Sequence, residues 1–129
     1  MARGKPKLPT DGELEILQIL WDQGPSTVRE VFQALNRARE AGYTTVLKLM
    51  QIMAEKGILT RDESVRPQVY RAEKTRNQTQ KLLVADVVDR AFQGSPGKLA
   101  MQALSTRKSS PEELREVREL LDRLEEENR

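Results

Sequence analysis

Apolar residues recur at three- and four-residue spacing through most of this chain and switch to alternation in one short segment. Thr10 with Glu13 three residues on has the form of a capping box, and it predicts a helix to about Asp22. Leu14, Leu17 and Trp21 form the expected core face of that helix. The turn "QGPS" stops it, and Ser26 is placed to cap a second helix carrying Val28, Val31, Phe32 and Leu35. After the polar run "NRAREAG" comes a third helix between two glycines, "GYTTVLKLMQIMAEKG". At about 100° per residue, Val46, Leu49, Met50 and Met53 make its buried stripe. Opposite lies a narrow polar strip of Thr44, Lys48, Gln51 and Glu55, flanked by Leu47 and Ile52, where a solvated helix would carry more charge.

The period then changes. "ILTRD" and "QVYRA" are two extended runs around a polar turn with Pro67 at its edge, as in a two-stranded hairpin. A lone hairpin is not stable in water, so it must lean on the helices. Helix, helix, helix, hairpin is the order of a winged helix-turn-helix. The expected fold is mainly α with a small β-hairpin: a winged helix-turn-helix followed by a helical C-terminal region.

Past the hairpin, Thr75 and Gln78 form another capping box, before a helix with Leu82, Leu83, Val87, Val88 and Phe92 that ends near Gly94. Ser95-Pro96 restarts a short helix, and "TRKSS" links it to a last one. That last helix opens at a further capping box, Ser110-Pro111-Glu112-Glu113, and carries Leu114, Val117, Leu120, Leu121 and Leu124. These stripes have two readings: they pack back on the three-helix unit, or they pair with a second copy. Pairing is favoured, because a helix–linker–helix tail has little core of its own to join.

Composition narrows the chemistry. At 129 residues the chain is one domain, or one small domain with an appendage. It has no histidine and no cysteine, so the usual general bases, thiolate nucleophiles and zinc ligands are missing. No glycine-rich phosphate loop is present. An enzyme is not expected, nor a cofactor, a metal or a small-molecule ligand. No run is long enough to span a bilayer, and no apolar segment follows the basic start, so a cytoplasmic location is expected. The net charge of +2 says less than its distribution. Arg3, Lys5 and Lys7 stand in an acid-free start, read as a basic arm or a solvated tail, while the end from Ser109 is rich in glutamate.

In a helix-turn-helix the second helix of the pair lies in the DNA major groove. Thr44 and Thr45 can cap that helix or bond phosphates and bases, Lys48 can reach guanine or phosphate, and Gln51 can pair with adenine. The plain alternatives are capping for the threonines and solvated surface for the other two. Arg61 and Arg66 flank the hairpin turn, where a wing meets backbone phosphates or where charge keeps an edge strand from pairing. Double-stranded DNA is therefore the expected partner. The rivals are a non-specific architectural DNA protein and an adaptor that uses the same helices to bind another protein.

The segments "LEILQILWDQGPSTVREVFQAL", "YTTVLKLMQIMAEKGIL" and "RDESVRPQVYRA" together resemble the penicillinase-repressor family of bacterial transcription regulators. The family includes the beta-lactamase, methicillin-resistance and copper-transport repressors. The likeness runs from about Leu8 to the C-terminus and is strongest from Leu14 to Ala72. It implies a homodimeric repressor that binds a dyad-symmetric operator, with an N-terminal winged helix and a C-terminal helical dimerisation region. The expected divisions are a basic arm over residues 1–9, the winged helix over 10–73 and the helical dimerisation region over 74–129. Thr44, Thr45, Lys48 and Gln51 match the family's recognition surface, and Arg61 and Arg66 its wing. Leu83, Val87, Val88, Phe92, Leu114, Val117, Leu121 and Leu124 fall in the dimerisation region. In the antibiotic-responsive branch a membrane metalloprotease sensor brings about cleavage of an Asn-Phe bond in that region. The corresponding pair here is Gln102-Ala103. The copper branch carries a cysteine-rich metal motif that this chain lacks. Ile52 also departs from the polar or basic residue that many relatives carry late in the recognition helix.

Overall fold

A computed structural model describes residues 8–129, so Arg3, Lys5 and Lys7 of the expected basic arm lie outside the described residues. The elements run α1 (Asp11–Gln23), α2 (Val28–Ala38), α3 (Tyr43–Glu55), β1 (Leu59–Asp62), β2 (Val69–Ala72), α4 (Arg76–Ala91), α5 (Pro96–Thr106) and α6 (Pro111–Glu127). The fold is mainly α-helical with one small β-hairpin, a winged helix-turn-helix followed by a helical C-terminal region. The chain divides into two compact units between Ala85 and Asp86, inside α4.

In the first unit, local chemistry sets the helix ends. The Thr10 hydroxyl accepts from the Glu13 amide at 3.3 Å, and the Thr10 amide donates to the Glu13 carboxylate at 2.9 Å. A second box starts α2, but on Thr27 rather than Ser26: Thr27 accepts from the Glu30 amide at 3.2 Å and donates to its carboxylate at 2.9 Å. Ser26 is one residue too early to reach the third amide of α2, and its backbone is used elsewhere. It exchanges two hydrogen bonds with Tyr70, N to O at 2.9 Å and O from N at 2.8 Å, adding a one-residue third strand to the hairpin. This bridge ties the turn after α1 to β2, between partners far apart in sequence.

The core gathers one face from each element. Ile16, Val31, Met50 and Met53 are fully buried, with Leu17, Leu20, Leu35 and Val46 beside them. Each such side chain contributes about 1.5–3 kcal/mol relative to exposure. The face of α1 is rotated from the expected one. Ile16 and Leu20 take the centre with Leu17, while Leu14 and Trp21 are only partly buried at its edge. Trp21 instead donates its indole N–H to the Lys74 carbonyl at 3.0 Å, an edge position that satisfies its polar atom. In α3, Leu49 is likewise at the rim, with Val46, Met50 and Met53 inside.

The hairpin is antiparallel, with Leu59 opposite Ala72, Thr60 opposite Arg71, Arg61 opposite Tyr70 and Asp62 opposite Val69. Alternation turns Leu59 and Tyr70 into the core. Gly57 permits the reversal from α3 into β1 with its φ of 80°, a region that suits glycine.

One charged group is buried with this core. Glu13 is 1% exposed, and its second carboxylate oxygen accepts from the Lys56 ammonium at 2.8 Å. Burial raises its pKa, but the bond from Lys56 and those from Thr10 outweigh it and hold the carboxyl below its ordinary value. The acid that caps the start of α1 therefore also grips the end of α3.

In the second unit, α5 opens at Ser95, whose hydroxyl accepts from the Lys98 amide at 3.2 Å, with proline in the first turn. Ser110 does the same for α6 through the Glu113 amide at 3.1 Å. The full reciprocal box expected there is only half formed, because among the described residues Glu113 makes no return bond. Neither α5 nor α6 has a buried residue. Met101, Leu104, Leu114, Leu120, Leu121 and Leu124 are all exposed. Among the described residues no helix is long and apolar enough to cross a membrane.

Candidate nucleic-acid interface

The α2–α3 turn is fixed by polar contacts. The Asn36 side-chain oxygen accepts from the Ala41 amide at 3.1 Å. Arg39 pairs with Glu15 of α1 through two N–H groups, at 2.9 and 3.0 Å, and that partner draws the Glu15 pKa down. With Val46, Met50 and Met53 anchored in the core, α3 must present its other face outward.

Thr44, Thr45, Lys48 and Gln51 are all exposed on that outer face. The capping role considered for the threonines is absent: Gly42 occupies the N-cap, and no side chain bonds the first amides. The threonines stand inside the first turn instead, as exposed residues. Lys48 has no partner among the ion pairs of the described residues. Leu47 and Ile52 flank the strip as half-buried shoulders.

The two wing arginines differ. Arg66 is exposed in the turn. Arg61 lies on the strand face shared with Tyr70, is 32% exposed at its side chain, and approaches Glu63 at 3.4 Å. The start of the turn is rigid, since Asp62 accepts from both the Ser64 hydroxyl at 2.6 Å and the Ser64 amide at 3.0 Å. Those bonds, the hydroxyl's first, keep the Asp62 carboxyl below its ordinary pKa and charged beside Arg71.

A groove of about 370 Å³ runs between α2, α3 and the end of the turn, walled by Arg29, Gln33, Tyr43, Leu47, Gln51 and Pro67. Gln51 thus belongs both to the outward strip and to this groove. Two of the wall residues were not signalled by periodicity. The Arg29 guanidinium carbon lies 5.2 Å from the Tyr43 ring centre, and Phe32 meets the same ring edge-on at 5.4 Å and 79°. The available signal was an arginine in the first turn of α2, where the helix dipole favours acids.

For the residues expected to pair two copies, exposure is uneven. Leu114, Leu121 and Leu124 are exposed, whereas Leu83, Val87, Phe92 and Val117 are half-buried and Val88 is 8% exposed within the single chain. Gln102 and Ala103 lie exposed on α5. Among the described residues there is no group of His, Cys, Asp and Glu suited to a metal ion.

A trihelical core, a hairpin wing and a helix with an outward polar strip define a winged helix-turn-helix of the class used by transcription regulators. Residues 9–123 match the family described as penicillinase repressor, and the chain belongs to that family of regulators rather than to an enzyme family. Two relatives are both named "Transcriptional regulator BlaI", from Mycobacterium tuberculosis strains CDC 1551 / Oshkosh and ATCC 25618 / H37Rv. Each is 39% identical to this chain over 56 residues, a match that spans 41% of this chain and 41% of the relative.

Proposed function

We propose that the protein is a homodimeric transcriptional repressor that binds a pseudo-palindromic operator with α3 in the major groove. The observation that carries this is the outward strip of Thr44, Thr45, Lys48 and Gln51 on a helix held by its buried stripe, in a chain of the penicillinase repressor family. Gln51 has the donor and acceptor needed for adenine, Lys48 the charge for guanine O6/N7 or phosphate, and Leu47 an apolar surface for a thymine methyl. Thr44 and Thr45, with Arg66 and Arg61 on the wing, serve the phosphates and set the register.

Residues 74–129 are the proposed dimerisation region, with the exposed leucines of α6 as its principal contacts. A two-fold pair of winged helices reads two half-sites, which one copy cannot do. The proposal extends to relief by a sensor-linked signal, with cleavage at Gln102-Ala103 as its proteolytic form.

The test is a titration of purified protein against genomic fragments it selects and against random DNA of equal length. Lys48→Ala is expected to weaken binding to the selected site more than to random DNA. Equal losses on both would make Lys48 a phosphate contact, and equal wild-type affinity for both would favour an architectural role.

A further inference from the structure

Arg29 is in the wrong place for a helix built only to be stable. It is the second residue of α2, where the partial positive charge of the helix N-terminus disfavours a cation. It is exposed, and among the described residues no carboxylate pairs with it. What holds it is a ring. Its guanidinium lies 5.2 Å from the centre of Tyr43, the first residue of α3, within the range of a cation–π contact. That ring is itself braced edge-on by Phe32, one turn further along α2. The stack bridges the N-terminal turns of the two helices of the helix-turn-helix, at the mouth of the groove that Gln51 lines.

We infer that Arg29 is a phosphodiester contact and that Tyr43 is its positioning residue. The contact with the ring leaves the guanidinium N–H groups without a carboxylate partner among the described residues, and their fork matches the geometry of a phosphate's oxygens. The electrostatic misfit at the α2 N-terminus is reduced once an anion pairs with the arginine, which then no longer faces the helix end as an unpaired cation. The side chain is also partly ordered before binding, so less rotamer freedom is lost in the complex. A contact of this kind carries no sequence information. It supplies affinity and fixes how α3 enters the groove.

The inference rests on the reading of the protein as a DNA-binding regulator, and salt titrations separate the two. Each phosphate neutralised contributes about 0.9 to the slope of log affinity against log salt concentration. Arg29→Ala is expected to flatten that slope by about one contact's worth and to weaken operator and random DNA by the same factor, about three- to tenfold at low salt. Tyr43→Phe, which keeps the ring, should lose less affinity than Tyr43→Leu. Tyr43→Leu should lose affinity on both DNAs by a smaller factor than Arg29→Ala, and the double variant should be no weaker than Arg29→Ala alone. Thermal melts of each variant establish that it folds, and Arg29→Lys, which keeps the charge without the fork, should retain the slope with reduced affinity. An unchanged slope in Arg29→Ala overturns the phosphate contact. Wild-type affinity in Tyr43→Leu overturns the positioning role. Wild-type protein that binds no DNA at low salt overturns the underlying reading, and the inference with it.

Discussion

Leu17 in α1 is 2% exposed and Leu121 in α6 is 51% exposed, although both sit on amphipathic helices with capped starts. The first unit closes on itself: three helices and a hairpin surround Ile16, Val31, Met50 and Met53, and a buried glutamate is accommodated beside them by a half-buried lysine. The helices α5 and α6 have the same kind of stripe, but neither holds a fully buried residue. Equal helix-forming chemistry thus yields two different outcomes. A helix needs another surface to cover its apolar face, and in water most helical stability comes from that burial. The first unit supplies its own cover, whereas Leu114, Leu120, Leu121 and Leu124 of α6 remain exposed in the single chain.

The sharpest way to probe this contrast is to cut the same kind of contact in each unit. Ile16→Ala is expected to destabilise the first unit by about 2–5 kcal/mol, read as a lower denaturation midpoint. A change within experimental error would mean that its core is not the source of its stability. Leu121→Asp should leave the first unit's fold intact and weaken self-association about tenfold or more, read by sedimentation across a concentration series. An unchanged profile would remove α6 from the dimer contact and break the comparison.

Smaller effects come from the charges. Glu13→Gln leaves Lys56 without its partner and is expected to cost about 1–3 kcal/mol near neutral pH. The carboxyl's folded pKa lies below its ordinary value of about 4.3, so its contribution is complete above that value and is lost as pH falls through the folded one. The difference in stability between wild type and Glu13→Gln should therefore close in acid, and a constant gap down to low pH would contradict the assignment. Smallest is Arg39→Ala. Its pair with Glu15 is 50% and 41% exposed, so no measurable change in the unfolding midpoint is expected. A clear loss would show that the turn before α3 depends on that pair.

Much of this was legible in the chain itself, where the deciding chemistry is local. Thr10 with Glu13 and Thr75 with Gln78 sit three residues apart, and each forms the reciprocal box that the spacing predicts. The hairpin was readable from alternation, and the strip on α3 from the helical period. What escaped depends on distant partners. In α1, apolar residues at 14, 16, 17, 19, 20 and 21 cover an arc of about 220° at 100° per residue, so periodicity alone does not choose which part of it meets Val31 and Met50. Ser26 and Thr27 are both plausible caps, and Glu30 three residues after Thr27 is the local arbiter, but the bridge from Ser26 to Tyr70 has no local signal. The stack of Arg29 on Tyr43 is of the same sort, since it appears only when α2 and α3 are packed together.

Gly42 at the start of α3 carries a dynamic implication. In α1 and α2 a threonine hydroxyl occupies an amide of the first turn, whereas α3 begins with its first amides unclaimed by any side chain. The far end of α3 is clamped by the Lys56–Glu13 pair and by the buried Met53. Amide hydrogen exchange along α3 is therefore expected to run from fast at Tyr43 and Thr44, whose donors have no acceptor among the described residues, to slow near Met53. The packed rings of Tyr43 and Phe32 hold that first turn in place, so fast exchange there reports unclaimed donors rather than a loosened helix.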